Sequence, residues 1–216
     1  MAIAPVNKFI TIAVPVAPGE QVVYSTPTGR SSIILYAQVS NVAAASTFPR
    51  VSFTHRRKTN KTGYIRNNRI VKEAKVPPND SLIIIDGRLV LERNAVISDS
   101  VVIVGVQSGI TSITNCLYDF NTGITTVTTS TNHNFSVGSQ ITMSGIAFTC
   151  SSSSGITTTI FPSPQSAFTV TGVVGLTTFV TNTGPIGFAH TYVSGGLVGP
   201  LQMEFICSIL ENNIAA

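Results

Sequence analysis

Short runs of β-branched and apolar residues, separated by turn-forming residues, constrain the fold of this chain more than any other feature. Val51 and Phe53 alternate with Ser52 and Thr54, which is the period of a half-buried strand. Similar runs are "FITIAV", "EQVVYST", "SSIILYAQVSN", "RIVKEAKV", "SLIIID", "RLVLE" and "VVIVGVQ", with "APGE", "TPTG", "PPND" and "DG" as turns between them. Their spacing of about eight to twelve residues is typical of sandwiches and barrels. The sequence therefore predicts an all-β fold with a β-sandwich base, either a jelly roll or an immunoglobulin-like sandwich.

The composition agrees with that fold class. Of the 216 residues, 43% are hydrophobic and 10% are charged, and tryptophan is absent. Thr, Ser, Val, Ile and Gly dominate, whereas the residues that favour helices are scarce. The length allows one large domain or two small ones with cores of their own.

The distribution of charge predicts two domains. All 13 Lys and Arg residues lie between Lys8 and Arg93, whereas Asp119 is the only charged residue from Thr111 to Gly199. A last strand-like run, "LQMEFICSIL", follows that neutral stretch. We expect residues 1–108 and 200–216 to form the sandwich base, and residues 109–199 to form a β-rich domain inserted before its last strand. Residues 107–112 and 193–200 read as linkers, and residues 151–159 as a loop.

The residue patterns of enzymes and metal sites are missing from the sequence. No G-x-S-x-G elbow, paired carboxylates or ligand-spaced His and Cys residues appear, so no catalytic residue, metal ligand or cofactor is assigned. Asp80, Asp86 and Asp99 are expected at turns. Cys116, Cys150 and Cys207 are expected to be buried reduced thiols. The apolar runs are too short for a membrane helix, and Pro5, Pro15 and Pro18 interrupt the beginning of the chain, so we expect a soluble protein made in the cytosol, without a membrane partner.

Residues 54–75, "THRRKTNKTGYIRNNRIVKEAK", concentrate the basic charge, with eight Lys and Arg residues against Glu73. "KTNKTG" predicts a turn, so the charges spread over both arms of a hairpin. Its candidate partner-binding residues are Arg56, Arg57, Lys58, Lys61, Arg66 and Arg69. Docking on an acidic protein surface and a merely solvated hairpin both fit this pattern. Nucleic acid is not the expected partner, because Tyr64 is the only aromatic residue of the segment and no recognition motif accompanies it.

Several segments also resemble virion proteins of tailed bacteriophages. "YSTPTGRSSIILYAQVSN", "VPPNDSLIIIDGRLVLE" and "ICSILE" look like a module of their structural proteins. The segments "YDFNTGITTVTTSTNHNFSVGSQITMSGIAFTC" and "HTYVSGG" are similar to virion proteins of marine T4-like cyanophages. The resemblance implies a virion component without enzymatic activity, assembled in the host cytoplasm.

Three functions remain open from the sequence. The first is a capsid decoration or cement protein that docks on the major capsid protein as a homo-oligomer. The second is a neck or tail accessory protein built on the same base. The third is a receptor- or glycan-binding module in the inserted domain, with Tyr118, Tyr192 and Phe188 as candidate stacking platforms.

Overall fold

The structure, a computed structural model, describes residues 7–43, 46–152 and 155–213. Seventeen strands and no helix occur among these residues, which confirms the predicted all-β fold class. The described part of the chain therefore offers no apolar helix of the length that crossing a bilayer demands.

The strands follow one another along the whole described chain. The first seven are β1 (Lys8–Pro15), β2 (Gly19–Ser25), β3 (Arg30–Asn41), β4 (Arg50–Thr59), β5 (Ile65–Lys75), β6 (Ser81–Arg93) and β7 (Ile97–Val106). The next nine are β8 (Thr111–Tyr118), β9 (Ile124–Thr129), β10 (Gln140–Ser144), β11 (Ala147–Ser152), β12 (Gly155–Ile160), β13 (Ala167–Val173), β14 (Thr178–Asn182), β15 (His190–Ser194) and β16 (Leu197–Pro200). The last strand is β17 (Met203–Asn213).

The chain divides into two compact units. The sandwich unit comprises the described residues of Met1–Val14, Glu20–Val106 and Met203–Ala216, and the barrel unit those of Pro15–Gly19 and Gln107–Gln202. The sequence gives no sign that Pro15–Gly19 belongs with the barrel unit. Hydrogen bonds explain the assignment, because the Ser144 hydroxyl donates to the carbonyl of Pro18 and the Gln107 amide donates to that of Val16.

The sandwich unit is a jelly roll. Its eight strands form the sheets β1-β17-β3-β6 and β2-β7-β4-β5, joined at one corner by the pair Arg93–Ser98. Counted along the unit, the strand orders are 1-8-3-6 and 2-7-4-5, in which the first and last strands pair inside one sheet. This order belongs to the jelly roll, one of the two predicted sandwiches.

The core of the sandwich unit lies between the two sheets. Phe53 of β4 and Phe205 of β17 come from opposite sheets, and their ring centroids lie 5.7 Å apart. Alternate residues along both strands are buried, as the period of two predicts. The two buried rings therefore hold the sheets together by apolar contact.

Strand β6 differs from the sequence prediction of two strands separated by a turn at Asp86–Gly87. It is continuous from Ser81 to Arg93. The pairing with β3 moves from Ile34–Leu89 to Tyr36–Asp86, which leaves one residue of β3 opposite two of β6. Gly87 and Arg88 therefore form a bulge where a turn was predicted, because both flanking runs pair with the same neighbouring strand.

The barrel unit closes on itself. Strands β8-β16-β10-β13-β14-β9 form a ring that is completed by pairing of β9 with β8, and β12-β11-β15 extends from β8 as a side sheet. Phe148, Phe179 and Met143 are among its fully buried core residues. Two sequence expectations are wrong here. The predicted linkers contain the beginning of β8 and all of β16, which pair at Ser112–Leu197. The predicted loop contains the end of β11 and residues 155–159 of β12, although residues 153 and 154 lie outside the described part.

Candidate interaction surface on the sandwich unit

The basic segment forms the hairpin that the sequence predicts. Strands β4 and β5 pair from Arg50–Lys75 to Lys58–Ile65. Two backbone hydrogen bonds close the turn, one from the Gly63 amide to the Thr59 carbonyl and one from the Thr59 amide to the Tyr64 carbonyl, both at 2.8 Å. Gly63 has a φ of +69°, a conformation that glycine adopts without a steric cost. The hairpin lies at one edge of the sheet β2-β7-β4-β5, with β5 as the edge strand.

Arg57 is held by a buried carboxylate. Its Nε donates to Oδ1 of Asp99 at 2.8 Å, and its Nη2 donates to Oδ2 of Asp99 at 2.6 Å. The Asp99 side chain is 0% exposed, and it also accepts the backbone N–H of Glu92. Burial by itself would raise the pKa of Asp99, but the hydrogen bonds from Arg57 and Glu92 and the nearby charges of His55 and Arg57 outweigh it, so the pKa lies below its usual range.

Arg56 is held on the other face of the sheet. Its two terminal nitrogens donate to the two carboxylate oxygens of Glu20, each at 2.7 Å. The hydrogen bond from Arg56 lowers the pKa of Glu20 despite partial burial, so the carboxylate is ionised at neutral pH. Strand β7 separates β2 from β4, so this pair spans three strands. Arg56 and Arg57 thus both have bidentate partners inside the unit.

The other four candidate residues are exposed: Lys58, Lys61, Arg66 and Arg69. Lys72 and Lys75 of β5 are exposed too. None of these six residues has a carboxylate within salt-bridge distance among the described residues. We call these six the free basic set.

Apolar side chains accompany the free basic set. Tyr64 is 67% exposed and Ile65 is 49% exposed, and both lie where β5 begins. Arg66 donates from Nε to the side chain of Asn68 at 3.1 Å, which orients its guanidinium along β5. The surface therefore combines positive charge with exposed apolar area, a mixture that protein interfaces use.

The carboxylates that hold Arg56 and Arg57 are the site residues that the sequence reasoning missed. Asp99 was expected at a turn, but it lies in β7 and points into the sandwich. The signal was present, because Asp99, Val101 and Ile103 follow the period of two and all three are buried. Glu20 carries no comparable signal, since its pairing with Arg56 depends on the strand order.

The aromatic candidates of the barrel unit separate into two groups. Tyr118 and Tyr192 are half-buried and line the same concavity, together with His190. Phe188 is 49% exposed and does not line that concavity. Among the described residues, no group of three or more His, Cys, Asp or Glu side chains is placed to hold a metal ion.

Comparisons with known proteins give remote structural likenesses only. No protein-family model and no curated protein matches the sequence. A chain from T=1 particles derived from infectious bursal virus is 10% identical, with a TM-score of 0.32, over 97% of this chain and 40% of that one. A chain of the T13 IBDV viral particle is 9% identical, with a TM-score of 0.34, over 96% of this chain and 39% of that one. The CBM22 tandem domain of Paenibacillus barcinonensis Xyn10C is 9% identical, with a TM-score of 0.24, over 97% of this chain and 91% of that one.

The chain spans about two fifths of the length of the viral chains that it matches. All these TM-scores lie below 0.5, so no function is transferred from them. The function must be argued from the strand order and the surface of this protein.

Proposed function

We propose that this protein is a non-enzymatic structural component of a tailed-phage virion. It docks through hairpin β4–β5 on an acidic surface of a neighbouring virion protein. The observation that carries the proposal is the free basic set, six exposed cationic side chains without carboxylate partners among the described residues. In this role the protein is a decoration or cement protein on the major capsid protein, joins the particle in the host cytoplasm and remains in the virion.

An acidic protein surface fits the hairpin better than nucleic acid does. Tyr64 and Ile65 offer exposed apolar area beside the charges, which a protein partner can bury. The same charges would also attract a phosphate backbone, but such binding is independent of sequence and weakens steeply with salt. Bases are most often read by a helix placed in the major groove, and the described residues contain no helix.

The jelly roll supports the virion role. Eight-stranded jelly rolls, built from two packed sheets, form viral capsid domains, lectins and cupins. The phage-like segments of the sequence favour the first of these three. Since one fold serves many functions, docking is supported by the charged hairpin rather than by the sandwich.

The alternative is a neck or tail accessory protein, which would dock through the same hairpin β4–β5. Copy number separates the two, since a capsid position requires on the order of hundreds of copies and a neck or tail ring about six or twelve. In either position we expect a symmetric homo-oligomer.

The experiment compares charge reversals on and off the hairpin. Lys58→Glu with Lys61→Glu alters the hairpin, and Lys8→Glu with Arg88→Glu makes the same charge change at exposed positions outside it. Purified protein is added to virions that lack it, and the bound fraction is measured by sedimentation. The hairpin variant should bind at least tenfold more weakly, with the control within about twofold of wild type. Equal binding by both variants would refute the proposal.

A further inference from the structure

The barrel unit contains a concavity that the docking role does not use. Its volume is about 440 Å³, and its walls are formed by residues 115–119 of β8 and the turn after it, 190–192 of β15, and Ile124 and Thr126 of β9. Strands β15 and β8 pair only at Thr191–Leu117 among the described residues, whereas β8 and β9 pair over most of their lengths. The hollow therefore lies where the side sheet leaves the barrel.

Part of the lining is apolar and held firmly in place. Leu117 is 63% exposed and Ile124 is 45% exposed. The Tyr118 hydroxyl donates to the Gly184 carbonyl at 2.8 Å, and the Tyr192 hydroxyl donates to the Gly195 carbonyl at 3.0 Å. Because the hydroxyls are anchored, the tyrosine rings are fixed before any ligand arrives.

His190 is also fixed, with one ring nitrogen left over. Its ring centroid lies 5.5 Å from that of Tyr118 and 5.2 Å from that of Phe161. Nδ1 lies 3.0 Å from the Phe188 carbonyl oxygen. Nε2 has no hydrogen-bond partner among the described residues. Because side chains alternate between the two faces of β15, these contacts place the His190 ring on the face opposite Thr191, where it supports the wall of the hollow.

Further polar groups around the hollow are unused. The side-chain oxygen of Asn115 accepts the backbone N–H of Cys116, which leaves its amide nitrogen without a partner in the described part of the chain. The hydroxyls of Thr126 and Thr191 make no hydrogen bond to a described residue. Donors and acceptors therefore alternate with apolar area along one short surface.

The charge around the hollow selects against anions. Asp119 lines it and is the only charged residue from Thr111 to Gly199. Its carboxylate is held by the Asn121 amide at 2.9 Å and the Thr122 hydroxyl at 2.7 Å. An anionic ligand would meet this charge without a cation to offset it.

We propose that this concavity binds a neutral saccharide. One C–H face of a sugar ring packs on Leu117 and Ile124, and its hydroxyls bond to Asn115, Thr126 and Thr191. A sugar suits the site because it combines apolar C–H faces with hydroxyls that donate and accept, and the lining offers both kinds of contact. This binding would take place apart from the docking of the hairpin.

The test uses the full-length protein and two matched variants. Leu117→Arg fills the hollow, and Val137→Arg places the same side chain at an equally exposed position of the barrel unit outside it, since Leu117 is 63% and Val137 66% exposed. Unchanged unfolding temperatures confirm that both variants are folded. The proteins are applied to an array of neutral, sialylated and sulfated glycans, and affinities for the best neutral glycan are measured by calorimetry.

We expect the wild type and Val137→Arg to bind at least one neutral glycan with equal affinity, and Leu117→Arg to lose at least tenfold. A second variant, Asn115→Ala with Thr191→Val, should lose about tenfold by removing two hydrogen bonds. The proposal is wrong if no neutral glycan binds, if anionic glycans bind more tightly, or if Leu117→Arg binds like Val137→Arg. None of these outcomes bears on the hairpin, so the two proposals fail separately.

Discussion

Arg57 and Asp99 face each other across strands β4 and β7 and share two hydrogen bonds, of 2.8 and 2.6 Å. Asp99 also accepts the N–H of Glu92 in β6, so one carboxylate links strands of both sheets at the corner of the sandwich. The pair explains why adjacent basic residues of one hairpin have different roles. Arg57 stabilises the fold, and Lys58 next to it is available to a partner.

Replacing Asp99 should destabilise the sandwich unit in a pH-dependent manner. Asp99→Asn leaves Arg57 with only the more distant carboxylate of Glu92, at 3.8 Å, and should lower the free energy of unfolding by about 2–4 kcal/mol at pH 7. The folded-state pKa of Asp99 is lowered, so its contribution is present above the usual carboxyl pKa and is lost as the pH falls through about 4 toward the folded-state value. Urea unfolding of the wild type and of Asp99→Asn between pH 2 and 7 measures this difference in stability at each pH. A loss of stability that is the same at all these pH values would contradict it.

Two neighbouring charge reversals should differ in their effect on stability. Arg57→Glu places a second carboxylate against buried Asp99 and should lower the unfolding temperature by roughly 10 °C. Lys58→Glu changes an exposed side chain and should alter stability by about 0.5 kcal/mol at most. Differential scanning calorimetry distinguishes them. Similar effects of the two would mean that the Arg57–Asp99 pair contributes little.

Tyr24 should limit stability at alkaline pH. Its hydroxyl donates to Glu211 at 2.7 Å and lies 2.7 Å from the Ser32 hydroxyl, while Arg30 donates to the second oxygen of Glu211. Burial and the neighbouring Glu211 charge raise the pKa of Tyr24, so its contribution is complete below pH 10 and declines as the pH rises further. Tyr24→Phe should cost about 1–2 kcal/mol at pH 8 and less at pH 11. An equal cost at both pH values would show that this hydrogen-bonded cluster is not the cause.

The free cysteines should be unreactive in the native protein. All three are buried, as the sequence predicted. Burial raises the pKa of Cys116 to about 12 and that of Cys207 to about 11, so at pH 8 roughly one thousandth or less of either thiol is ionised. Ellman's reagent should label these two only after unfolding. Rapid labelling of the native protein would show that the strands around them open readily.

The two compact units are proposed to be independent folding domains. Phe205 and Phe179 are fully buried in the sandwich and barrel units. Each Phe→Ala change should cost about 3–5 kcal/mol and shift one of two thermal transitions while the other stays in place. Circular dichroism at increasing temperature measures both. A single transition lowered by either variant would show that the chain unfolds as one domain.

The sequence predicts those parts of the fold that depend on local patterns. Alternation in β4 and turn chemistry at Gly63 are enough to identify the hairpin, since neighbouring residues determine both. Residues distant in sequence decide the rest. Leu197 pairs with Ser112, so the predicted linkers are strands of the barrel. The register of β6 against β3 produces a bulge directly after Asp86, where the sequence predicts a turn. The roles of Arg56 and Arg57 depend on Glu20 and Asp99, which only the strand order brings to them.

A reconstruction of the intact virion by electron cryomicroscopy tests docking through the hairpin most directly. We predict that the sandwich unit is resolved on the particle, with Lys58, Lys61, Arg66 and Arg69 within about 4 Å of carboxylates of an adjacent virion protein. A particle without this protein, or one in which hairpin β4–β5 faces solvent while another surface makes the contact, would contradict the account.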